Sequence, residues 1–164
     1  MLYEAHVLSY IEYWTCAFAH ASDSVLIPLD NVQRDFLQQV GINEEVALSH
    51  CTLAPLAVRR DMAMLGLIHR TVLGKGLLDF KQFFALDASG GLARGGRRHS
   101  KHLVDPCSLR SPEYVVRSAL GAVRVHNLLP ESVASAITVN SFQSRLSELV
   151  RTQARSGDER QQVL

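Results

Sequence analysis

Apolar positions recur along this chain at the three- and four-residue spacing of helix faces, in blocks punctuated by Gly, Pro and capping residues. The first block runs from Leu2 to about His20, through Leu2, Ala5, Leu8, Ile11, Trp14 or Thr15, and Phe18. Ser22, Asp23 and Ser24 offer capping oxygens to a second helix, on which Leu26, Leu29, Val32, Phe36, Leu37 and Val40 share a face. Pro28 fits only near the first turn of that helix, where its missing N–H is not needed, and Gly41 supplies a left-handed stop. Asn43, followed by Glu44 and Glu45, starts a short helix to about His50, with both carboxylates at the positive helix end. A longer helix follows Pro55, lined by Leu56, Met62 or Ala63, Leu65, Ile68 or His69, and Val72, and closed by Gly74 and Gly76.

The stretch "LLDFKQFFAL" predicts a further short helix in which Leu78, Phe80, Phe83, Phe84 and Leu86 seek cover. From Asp87 to Arg98 the periodicity dissolves into "DASGGLARGGRR", whose glycines leave little side-chain surface to bury, so a flexible loop is expected. "HSKHLVDP" and "PEYVVRS" are β-branched or aromatic pieces that suit one short hairpin. Helix resumes around Ala119, pauses near Asn127 and restarts at Pro130. Thr138 then caps a last helix that turns Val139, Phe142, Leu146 and Leu149 or Val150 inward. The expected fold is mainly α, an irregular bundle of about six to eight helices with a basic glycine-rich loop and that single hairpin. Its expected parts are a helical bundle over 1–86, the basic loop and hairpin over 87–118, C-terminal helices over 119–152 and a polar, flexible tail over 153–164. No internal repeat is present.

Composition narrows this picture. At 164 residues and 18.2 kDa the chain fits one domain with tails, and 47% apolar residues can build a core. With 20% of residues charged, disorder of the whole chain is not expected. No apolar run approaches the roughly 18 residues of a membrane span. Glu4 and Glu12 stand where a secretory signal would be basic, so the chain is expected inside the cell, in nucleus or cytoplasm. Cys16, Cys51 and Cys107 lie far apart in odd number, which suits free thiols in a reducing compartment. The net charge of +1 conceals a polarity. Residues 1–90 carry six Lys/Arg against ten Asp/Glu, 91–124 seven against two, and the remainder four of each. An anionic partner would therefore meet the middle of the chain.

Candidate chemistry is sparse. Cys16 and His20 are four apart on an expected helix, and His99, His102 and Cys107 form a looser group. Structural zinc needs two close ligand pairs and no such set exists, so no metal and no cofactor is expected. There is no Gly-x-Ser-x-Gly elbow, no phosphate loop ending in Lys-Ser or Lys-Thr, and no Asp-Asp pair. Glu44-Glu45 is explained by its helix start. Catalysis is not expected. Arg94, Arg97, Arg98, His99, Lys101 and His102 crowd the glycine-rich loop, and Arg110, Arg117 and Arg124 follow. Such guanidinium groups either bond phosphates in pairs or solvate a loop.

"RVHNLLPESVASAITVNSFQSRLSEL", from Arg124 to Leu149, resembles the C-terminal end of non-LTR, LINE-type (jockey-like) retrotransposon reverse transcriptases. There an Asn-x-Leu-Pro turn enters one short helix, and a Ser/Thr-capped helix closes the region; His126 stands where that family usually has tryptophan. "SYIEYWTCAFAHA", "LDNVQRDFLQQVG", "LAPLAVRRDMAMLGLIHRTVLGKG" and "RRHSKHLVDP" are similar to the preceding blocks in order and spacing, from about Ser9 to Val150. The resemblance implies a helical thumb and its extension, which grips a template–primer duplex through backbone phosphates. Arg59, Arg60, Arg97, Arg98, Lys101, Arg117 and Arg124 would carry that contact. The family's Asp-Asp palm is missing from this sequence, so the expectation is a non-catalytic, sequence-independent binder of RNA–DNA backbone. The alternative is an all-helical interaction module that meets a palm domain or a second copy of itself, with Tyr10 and Trp14 on its surface.

Overall fold

Local signals place most of the helices. The computed structural model describes residues 3–9, 11, 21–88, 99–107 and 110–156. Its α-helices are α1 (Asp23–Gln39), α2 (Glu44–Cys51), α3 (Leu56–Val72), α4 (Glu113–Val116), α5 (Ala119–Leu128), α6 (Glu131–Ala134) and α7 (Val139–Ser156). A π-helical turn spans Tyr3–Leu8 and a 3-10 turn spans Leu78–Phe80. The architecture is mainly α. Among the described residues no helix is long and apolar enough to cross a membrane.

The caps explain the boundaries. Asn43 Oδ1 accepts from Val46 N at 2.7 Å, and Thr138 Oγ1 accepts from Ser141 N at 3.0 Å, so each satisfies an orphan donor of its helix start. Ser118 does the same for α5 through Leu120 N. Gly41, at φ +71°, takes the left-handed conformation after α1. Ser22 occupies the N-cap position of α1, but its hydroxyl bonds Ser24 Oγ and not the helix backbone.

Two apolar cores result. The first gathers α3, α5, α6 and α7 around Leu65, Ile68, Val123, Leu129, Phe142 and Leu146. The expected inner face of α7 holds, with Phe142 and Leu146 fully buried. Because α3 packs on both α5 and α7, the stretches 1–86 and 119–152 share this core. The second core joins the N-terminal turn, α1, α2 and the start of α3 through Tyr3, Leu8, Leu37, Ala47, Leu53 and Leu56. Tyr3 stacks on Phe36 with ring centroids 4.0 Å apart.

Four expectations are corrected. On α1 the buried residues are Gln33 and Leu37, while Val25, Val32 and Val40 are exposed. The helix is rotated because Gln33 turns inward to donate from Nε2 to Ala54 O at 3.0 Å. "LLDFKQFFAL" forms only the 3-10 turn and further turns, with Phe84 buried and Leu77 and Leu78 exposed. No hairpin joins "HSKHLVDP" to "PEYVVRS". Leu103 instead makes an isolated antiparallel bridge with Leu86, and Glu113–Val116 is one helical turn started by Pro112. A proline cannot donate to a ladder, and its fixed φ suits a helix start. Finally, α7 runs to Ser156, so the tail expected from Gln153 begins in helix. The pair Cys16 and His20, and the surface expected at Tyr10 and Trp14, lie outside the described residues.

Candidate functional site

Of the basic residues expected to meet phosphate, Arg97 and Arg98 lie outside the described residues. The other five do not share one surface, and Arg60, Lys101, Arg117 and Arg124 are engaged within the fold. Arg60 is buried and grips Asp30 with both terminal nitrogens, at 2.5 and 2.9 Å, tying α3 to α1. Arg117 reaches Asp23 at 2.9 Å and Glu113 at 2.8 Å. Arg124 donates from Nε to Asp105 at 2.7 Å and from Nη2 to Cys107 O at 3.0 Å. Hydrogen bonds to Asp23 and Asp105 hold the Arg117 and Arg124 guanidinium pKa above the ordinary value. Lys101 donates to Ala136 O at 2.7 Å, and partial burial lowers its pKa.

Arg60, Arg117 and Arg124 do converge on one cavity, of about 440 Å³, between α1, α3 and α5. Its wall is largely apolar, with Leu26, Met64 and Val125, and its rim also holds Asp23 and Asp61. Desolvation raises the Asp61 carboxyl despite the pull of Arg60. Each cation here faces its own carboxylate, so these arginines act first as clamps between helices.

Arg59 points elsewhere. It lines a groove of about 510 Å³ bounded by α2, α3 and α7, with Thr52, Gln143, Ser144, Ser147 and Arg151 among the other lining residues. Gln143, Ser147 and Arg151 recur every four residues, so α7 presents them as one stripe. Gly66 lets α3 approach that stripe closely: a Cβ there would stand 2.9 Å from Gln143 Nε2. No described residue lining the groove is acidic. Among the contacts of its cations, Arg59 Nη1 lies 3.5 Å from Thr52 O and Arg151 Nη2 lies 3.5 Å from Glu148 Oε2. The groove sets two guanidinium groups beside hydroxyl and amide groups. Arg151 was missed from sequence because a polar helix face ordinarily reads as solvated; the four-residue spacing was the available signal.

A third assembly lies inside the first core. His69 and His126 are fully buried and His99 nearly so. His69 stacks on Phe142 at 4.0 Å, and His99 meets His126 edge-on at 5.2 Å. His69 Nε2 sits 3.0 Å from Ala136 O, and His99 Nε2 sits 2.8 Å from His126 O. Neither ring nitrogen of His126 has a hydrogen-bond partner among the described residues, since the Asn127 amide is committed on both sides to the Leu103 backbone. Burial pushes His69 down to about 4 and His126 down to about 3, so both rings are neutral in the folded chain. Among the described residues no group of three His, Cys, Asp or Glu is arranged to hold a metal ion. Compared with family models, curated proteins and solved structures, the chain has no match.

Proposed function

We propose that this chain is a non-catalytic helical module that holds nucleic-acid backbone, in keeping with its resemblance to the post-palm region of a LINE-type reverse transcriptase. The observation that carries the reading is the groove between α3 and α7, which sets Arg59 and Arg151 beside Gln143, Ser144 and Ser147 with no acidic residue described in its lining. Phosphate oxygens accept from such donors without reading base edges, so binding is insensitive to sequence. Arg60, Arg117 and Arg124 then serve by bracing the helices. The basic segment of the sequence between Asp87 and His99 carries Arg97 and Arg98, and described residues on its two sides are joined: Asp87 N donates to His102 O at 2.9 Å and Val104 N to Ala85 O at 3.0 Å.

Filter binding of an RNA–DNA duplex over a salt series tests this. Neutralised phosphates release counterions, so affinity falls as salt rises, and Arg59→Ala with Arg151→Ala should flatten the log–log slope by about two. Arg97→Ala with Arg98→Ala should weaken binding in the same direction. Absence of binding at low salt, or a double variant that binds like the parent, sinks the reading. A second reading, self-association of two copies, is favoured by Val25, Val32 and Val40 on α1, which are 51%, 41% and 47% exposed. Sedimentation equilibrium separates the two: a dimer dispersed by Val32→Lys, without nucleic-acid binding, selects the second.

A further inference from the structure

The segment from His99 to Leu103 is sewn onto the turns that join α5, α6 and α7. His99 Nε2 bonds His126 O, Ser100 N and Oγ both donate to the Glu131 carboxylate at 2.7 and 2.9 Å, and Lys101 Nζ donates to Ala136 O. Leu103 exchanges two bonds of 2.8 Å with the Asn127 amide, which imitates a neighbouring strand. Directly beneath this seam lie the His69 and His126 rings, 6.3 Å apart, with His99 against His126. A seam of hydrogen bonds thus rests on imidazoles that are accommodated only while uncharged.

We infer that this seam is a proton-sensitive latch, which in mild acid releases residues 99–103 while the second core stays folded. The inference stands on packing and does not need the nucleic-acid reading.

The surrounding charges set its bias. His69 comes from α3, His126 from α5, and His99, Lys101 and His102 from the seam itself. Lys101 shares the Ala136 carbonyl with His69 and opposes a second positive charge there, and Arg145 on α7 adds to that field. Glu131 on α6 acts the other way, attracting Lys101 and a charged His99. His102 Nδ1 stands 3.6 Å from Asp87 Oδ2. Two acceptors for protons are therefore trapped neutral in the core, with Glu131 and Asp87 at its rim.

The direction follows from linkage. Both buried rings titrate lower in the folded chain than in the unfolded one, so their contribution is fully present above about pH 6.5 and is lost as pH falls from there toward about 4 for His69 and about 3 for His126. The second core has no buried histidine among its described residues, since His6 and His50 are exposed.

Amide hydrogen exchange of the full chain, corrected for intrinsic rates, tests the latch between about pH 7.5 and about pH 5. Opening at Leu103 should rise on the order of tenfold or more for each buried imidazole, whereas Ala47 and Leu53 in the second core should not follow. His126→Phe should remove one such step, and His69→Phe serves where the first variant does not fold. Equal acceleration at Leu103 and Ala47, no acceleration at either, or an unchanged pH response in the folded variant would overturn the latch.

Discussion

The two cores solve the same problem with different materials. The first encloses His69, His99 and His126 among Leu65, Ile68, Phe142 and Leu146, and the His69 and His99 rings lean on the Ala136 and His126 carbonyls. The second is smaller and is braced by the bidentate pair of Arg60 with Asp30 and by the stacking of Tyr3 upon Phe36. A core that buries neutral but titratable groups is sturdy at neutral pH and weak in acid. One braced by an ion pair at its edge answers chiefly to loss of a partner.

The largest test of this contrast is cavity creation. Phe142 is fully buried and flanked by His69, so Phe142→Ala should cost about 3–5 kcal/mol in denaturant unfolding at neutral pH. Leu37, the one buried apolar residue of α1, should cost about 2 kcal/mol on conversion to alanine, because a thinner core relaxes around the gap. If Leu37→Ala proves the costlier change, the ranking of the cores is wrong.

Next comes the ion pair. The Arg60 side chain is 9% exposed and Asp30 26%, so Arg60→Met leaves a largely covered carboxylate without its cation and should cost about 3 kcal/mol. Adding Asp30→Leu should restore most of that loss, since a buried pair replaced by apolar side chains is often neutral. A double-mutant cycle in denaturant measures both. Additive losses would mean that Arg60 acts through something other than Asp30.

These features also separate what could be read in advance from what could not. Helix starts at Asn43 and Thr138, the stop at Gly41 and the inner face of α7 are local matters of capping and periodicity, and they were legible. The inward turn of Gln33, the burial of Arg60 and the sinking of His126 depend on groups far along the chain: Ala54, Asp30 and Phe142. A polar side chain shows no periodic signature of being buried. The same limit governed the candidate site. Basic residues were visible as letters, but whether each meets an internal carboxylate is a tertiary fact. Arg117 and Arg124 therefore turned out to be paired, whereas Arg151 acquired interest only once α3 and α7 were seen to flank one groove. The misplaced hairpin has a similar origin, because strand-like composition around Pro106 and Pro112 could not compete with their missing donors.

The smallest expected effect is also the one that sharpens the comparison most. Asn43 caps α2 in the second core and Thr138 caps α7, which closes the first, each through one bond to a backbone N–H. Either residue changed to alanine should cost about 1 kcal/mol. At neutral pH, where the cores unfold together, the two losses should be nearly equal by any probe. Near pH 5, with the first core weakened by its neutral imidazoles, the cores should cease to melt as one unit. Thr138→Ala should then advance opening at Leu103 alone, and Asn43→Ala should advance opening at Leu53 alone. Exchange that still accelerates at both amides in both variants would mean that a single cooperative unit persists in acid, and that the chemical difference between the cores has no separate thermodynamic expression.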